Sequence, residues 1–161
     1  MSDPTTQATN PEAGTISCMM LPIQARTLLV PQTNIAEIAA VAPIFPDNSG
    51  PNWFLGYYSW RNQRVPLISF ERLVTGQGGG INPNGRIAVF NNTGVHSDLK
   101  FIAIPTQGIH RSINLRPEDI QKTEQAPTTN FERMYVRVGV EDMTIPDISA
   151  LERAYCGYRK I

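Results

Sequence analysis

Two histidines, two cysteines, a glycine-rich run, two acidic pairs and an aromatic hairpin flanked by arginines are where this chain could do chemistry. His96 lies in the turn-like NTGVHSDL, and His110 sits two residues past Gly108. Neither has a second metal-type ligand three or four positions on, so a zinc site fails on spacing and both read as exposed loop histidines. Cys18 and Cys156 stand near opposite ends of the chain, outside any C-x-x-C or C-x-x-H spacing and without an activating motif. They read as buried thiols rather than a nucleophile or a disulfide framework. TGQGGGINPNG, residues 75–85, lacks the Gly-Lys-Ser/Thr of a phosphate loop, and a strand-like segment follows it, so it reads as a mobile linker. The carboxylates of Glu118-Asp119 and Glu141-Asp142 are adjacent, which points them in different directions, as on a solvated face. No nucleophile has a base beside it, so no enzyme, cofactor or metal is expected.

What remains is FLGYYSWRNQRVPLISFERL, residues 54–73, where Arg61 and Arg64 are the only charges before Glu71. With Trp53, the rings of Phe54, Tyr57, Tyr58 and Trp60 could stack bases in a small barrel, the basis for an alternative reading as a single-stranded nucleic-acid binder. Two arginines are too few for a groove that tracks a phosphate backbone, and the 14 basic and 14 acidic residues cancel, leaving no global field for nucleic acid or anionic lipid. Core packing accounts for most of the rings, with Trp53 and one tyrosine left to meet a partner protein.

At 161 residues the chain fits one compact domain with room for two small lobes. MSDPTTQATNPEAG has no apolar run and reads as a disordered tail over 1–14, neither signal peptide nor membrane span, in a cytoplasmic protein. TISCMMLPIQARTLLV predicts two strands bent at PIQAR, and QTNIAEIAAV a short helical turn or a strand ending in one. FLGYYSW and RVPLISF are strand-like, with Arg61-Asn62-Gln63 as their turn and Asn62 suited to a positive φ. RIAVFN and DLKFIAIP predict two more strands. Pro117 opens a helical turn with Glu118 and Asp119 in it, and MYVRVGV alternates as a half-buried strand. IPDISALERAYCGYRK predicts a helix over about 147–156, capped by Asp147, with Ile148, Leu151 and Tyr155 on one face and Gly157 ending it. Many short strands, little helix and 13 prolines argue for an all-β architecture with short helices.

Leu55, Gly56, Arg61, Val65, Pro66, Leu67, Ile68 and Phe70 fall in the register of the signature hairpin of the CheW-like domain, apolar-x-G-apolar-x-x-x-R-G-x-apolar-apolar-P-apolar-apolar-D/N-L. IAEI at 35–38 resembles the family's V-x-E-I, with Glu37 at its glutamate. Asn62 stands where the family has glycine and Ser69 where it has aspartate, and the V-D-x-V of the second lobe is not visible in IAIPTQGI. Within the family the pattern most resembles the ChpC-type CheW-like proteins of chemosensory pili systems.

The resemblance implies two small five-stranded SH3-like barrels over residues 15–158: lobe one about 15–75, a glycine-rich linker at 76–85, lobe two about 86–145, then the C-terminal helix. It implies a non-enzymatic adaptor coupling a methyl-accepting chemotaxis receptor to a CheA-type histidine kinase, in a type IV pilus and twitching-motility system. The protein-binding residues it implies are Glu37, Arg61, Asn62, Val65 and Pro66, with Glu37 and Arg61 able to pair.

Overall fold

The computed structural model describes residues 14–161. The expected tail therefore lies outside the described residues, save Gly14. Strands β1 (Ile16–Ile23) and β2 (Arg26–Pro31) form the first hairpin, bent at Gln24 and Ala25 as PIQAR predicts. A 3-10 turn, Gln32–Asn34, leads into β3 (Ile35–Ala40), so the helical turn precedes this strand rather than ending it. The chain continues through β4 (Ile44–Pro46), β5 (Phe54–Trp60), β6 (Gln63–Ile68) and α1 (Phe70–Thr75). Then come β7 (Arg86–Asn91), β8 (Phe101–Pro105) and β9 (Arg111–Leu115). A 3-10 turn opened by Pro117, β10 (Ile120–Lys122), β11 (Glu132–Val138), β12 (Glu141–Pro146) and α2 (Ile148–Arg159) complete it. Among the described residues no helix is long and apolar enough to cross a membrane.

The strands form two six-stranded sheets, ordered β10-β11-β12-β2-β1-β9 and β3-β7-β8-β6-β5-β4. The sixth strand of each, beyond the expected five, is a three-residue piece at an edge, β10 or β4. In a flat sheet the two edges would stand roughly 24 Å apart. Only residues 41–43 join β3 to β4, and that chain reaches about 14 Å at most, so the sheet has to curl. Tyr58 marks the closure, its Oη donating to the Ala40 carbonyl at 2.7 Å. The short link from β9 to β10 closes the first sheet by the same logic, with Arg111 paired to Glu141 at 3.0 Å across its rim.

Strand pairing divides the chain differently from the sequential lobes read from the glycine run. The first hairpin joins β9–β12, while β7 and β8, beyond that run, join β3–β6. The run is not a free linker: the Gly79 amide donates to Gln24 Oε1 at 3.0 Å, and Gln107 Nε2 donates to the Gly80 carbonyl at 2.8 Å.

Cys18, Met20, Leu29, Val136 and Met143 fill the first barrel, and Tyr58, Trp60, Val65, Leu67, Ile87 and Val89 the second. A third, shared core lies between them, built from Leu21, Leu28, Phe54, Phe90, Ile102 and Ile104 with Ile148, Leu151 and Tyr155 of α2. Strands serving a barrel and the shared core are apolar on both faces: Cys18 and Met20 point one way, Met19 and Leu21 the other. Asp147 caps α2, its Oδ1 accepting from the Ala150 amide at 3.1 Å. Gly157 does not end that helix, which runs to Arg159 and stops at Lys160 with φ 58°. Val140, read as part of the alternating strand, is fully exposed in the β11–β12 turn.

Candidate functional site at the hairpin corner

Arg61 and Asn62 are the two-residue loop between β5 and β6, closed by the Trp60–Gln63 pair. Both have positive φ, 48° and 61°. That matches a type I′ turn, whose twist suits a hairpin and which asparagine tolerates better than most side chains. Glu37 comes from β3, beside an irregularity in the β3–β7 register between Ile35 and Glu37, the kind of local kink that re-aims a side chain. Because the sheet is curled, β3 meets the far end of β5.

The three side chains make one unit. Arg61 Nη2 donates to Glu37 Oε1 at 2.8 Å, and the Trp60 indole Nε1 donates to Glu37 Oε2 at 3.2 Å. The Arg61 guanidinium lies 4.7 Å over the Trp60 ring. Trp60 is itself buried and packed edge-on against Phe101, 4.8 Å between centroids, so a fixed platform carries a largely exposed cation. The hydrogen bonds from Arg61 and then Trp60 hold the Glu37 carboxyl below its ordinary value, so it stays ionised at neutral pH. Such a corner has no nucleophile; it presents an oriented guanidinium and a half-exposed carboxylate, with the Trp60 ring buried beneath them.

Glu37, Arg61 and Asn62 therefore meet at one surface point. Val65 and Pro66 do not join them, for both are buried: Val65 faces the second barrel's interior, and Pro66, on the opposite face of β6, pairs with Tyr57. Trp60 is the member sequence reasoning passed over, although its place beside Arg61 was the available signal. Ser69, standing where the family has aspartate, is the N-cap of α1, its Oγ accepting from the Arg72 amide at 3.2 Å.

Burial raises both cysteine thiols, and the two sit in different cores. Among the described residues no three His, Cys, Asp or Glu side chains are grouped to hold a metal. Glu141 and Asp142 pair with Arg111 and Arg137. Base stacking finds no platform, since Phe54, Tyr58 and Trp60 are core residues and Trp53 is half-buried against Phe54 and Tyr158.

Compared with known families, residues 17–154 match the CheW-like domain. No curated protein matches the chain. Among solved structures it is similar to the scaffolding protein TtCheW from Thermoanaerobacter tengcongensis, with a TM-score of 0.69 and 13% identity, covering 82% of this chain and 88% of that one. At that identity the likeness speaks for the fold: two small barrels built from these two sheets. The family match extends over both barrels and most of α2, and the chain belongs to the CheW-like domain family, non-enzymatic scaffolding adaptors of chemotaxis signalling.

Proposed function

We propose that this chain couples a methyl-accepting chemotaxis receptor to a CheA-type histidine kinase in the cytoplasm, within a type IV pilus chemosensory system that controls twitching motility. The observation that carries the reading is the exposed Arg61 held on Trp60 by Glu37 at the tip of the family's signature hairpin. Arginine on an aromatic platform is the kind of residue that dominates protein interfaces, and the adaptor role asks for surfaces rather than titrating nucleophiles.

The purified chain should co-elute with the regulatory domain of such a kinase or with a receptor signalling fragment. Reversing the charge with Arg61→Glu should weaken that association by about 1–3 kcal/mol. No association with either partner at high micromolar concentration would remove the reading. The pilus assignment has its own test: a deletion strain should lose twitching spread and keep swimming, and the opposite pattern would place the adaptor in a flagellar pathway.

A further inference from the structure

Beside β6, and distinct from the Arg61 corner, lies a groove of about 180 Å³ whose lining includes Tyr57, Arg64, Asp98, Lys100 and Tyr155. Arg64 and Lys100 are exposed, and among the described residues neither forms an ion pair. Arg64 is not loose, however: its guanidinium stacks 4.6 Å over the ring of Phe45, which is 49% exposed on the edge strand β4. The hydroxyls of Tyr57 and Tyr155 are 2.8 Å apart. Two hydroxyls carry two protons and their mutual bond uses one, so the second has no acceptor among the described residues. Asp98 is the only acidic side chain in the lining, which also includes Ile161 with its terminal carboxylate, and both oppose an anion there.

An oriented guanidinium, an ammonium and a phenolic pair with a spare proton line one groove, and among the described residues none of them has an acceptor for the charge or proton it offers. The volume is below the 300–1,000 Å³ typical of sites for whole small molecules, and suits one side chain. The exposed face of Phe45, joined to the groove through Arg64, offers an apolar contact for the neighbouring residue. The geometry points to a docking site for an acidic peptide segment of a partner protein, a Glu or Asp carboxylate between Arg64 and Lys100 with an adjacent aromatic on Phe45.

The test titrates the full chain with the blocked pentapeptide GEFEG, following amide shifts, with its neutral counterpart GQFQG as control. Shifts at Gln63, Arg64 and Lys100 should saturate with a dissociation constant of roughly 1 mM, and GQFQG should give none. Arg64→Gln and Lys100→Gln should each weaken binding about fivefold, and Asp98→Asn should tighten it about twofold. These side chains are exposed, so the variants fold, and their spectra check that directly. Arg153→Gln, exposed on α2 and outside the groove lining, should change nothing. Equal binding of GQFQG, or equal weakening by Arg153→Gln, would overturn the site in favour of diffuse charge. Inorganic phosphate reproducing the same shifts would overturn the peptide reading in favour of a bare anion site. The probe contains neither kinase nor receptor, so its failure would leave the Arg61 contact standing.

Discussion

Glu132 shows how much one carboxylate can organise when its side chain is fully buried. It accepts from Arg26 Nη1 at 2.6 Å, Tyr135 Oη at 2.6 Å, Thr128 Oγ1 at 3.2 Å and Thr129 Oγ1 at 3.0 Å. Burial alone would raise its carboxyl, but the hydrogen bonds of Tyr135, Arg26 and Thr129 outweigh that and hold it below 4.5. A folded value below the unfolded one means the contribution is fully present above about pH 4.5 and is lost as pH falls through the folded value. Glu132→Gln should therefore cost about 2–4 kcal/mol at neutral pH, and the gap to wild type should narrow in more acidic urea titrations. A gap independent of pH would mean the charge is not what binds Arg26. Nothing local announces this residue, because Arg26 lies 106 positions away. Glu37 uses similar donors at the surface, and there the family pattern made its pairing with Arg61 legible while the Trp60 indole stayed hidden.

Two short elements show where local sequence chemistry suffices and where it does not. The β5–β6 turn was readable, because Arg61 and Asn62 separate two apolar runs and asparagine accepts a left-handed corner. Asn62→Gly should raise stability by up to about 1 kcal/mol, and Asn62→Val should lower it by about 1–2 kcal/mol, each read from the urea midpoint. Helix α1 was not readable: six residues are too few to display a helical period, and its opening Phe70 prolongs the apolar run of β6. Only its caps stood in the sequence, Ser69 at the start and Gly76 with φ 85° at the end. The glycines after it looked like a linker because a packed glycine and a loose one read alike. Gly79 is packed, at φ 61°, and a Cβ there would collide with Ser69 Oγ and lie 2.8 Å from Glu71 Oε1. Gly79→Ala should thus cost more than about 2 kcal/mol, whereas Gly76→Ala, with open space around it, should cost only the strain of its φ, about 1 kcal/mol. Equal losses of thermal midpoint would return the segment to the status of a linker.

Over the whole molecule, the legible feature is which strands are apolar on both faces. CMML, IAVF and FIAI are unbroken runs because each strand serves a barrel core and the shared core at once, whereas β11 alternates around Val136 and exposed Arg137. Lobe membership was not legible, since it depends on pairs such as Cys18 with Ile113, and no local signal crosses that separation. The same interleaving makes the two barrels mechanically dependent. Leu151, which is fully buried, shares one core with residues of both sheets, and Glu152, also fully buried, accepts from the Thr93 amide and ties α2 to the β7–β8 loop. The chain should unfold in urea as one unit, with the fluorescence of Trp53 and Trp60, both in the second-barrel half, tracking far-ultraviolet circular dichroism from both halves. Leu151→Ala should lower both midpoints together at a cost of about 2–5 kcal/mol. Circular dichroism lost ahead of fluorescence would show the first barrel melting alone, and the shared core would then be a contact between two folding units instead of the centre of one.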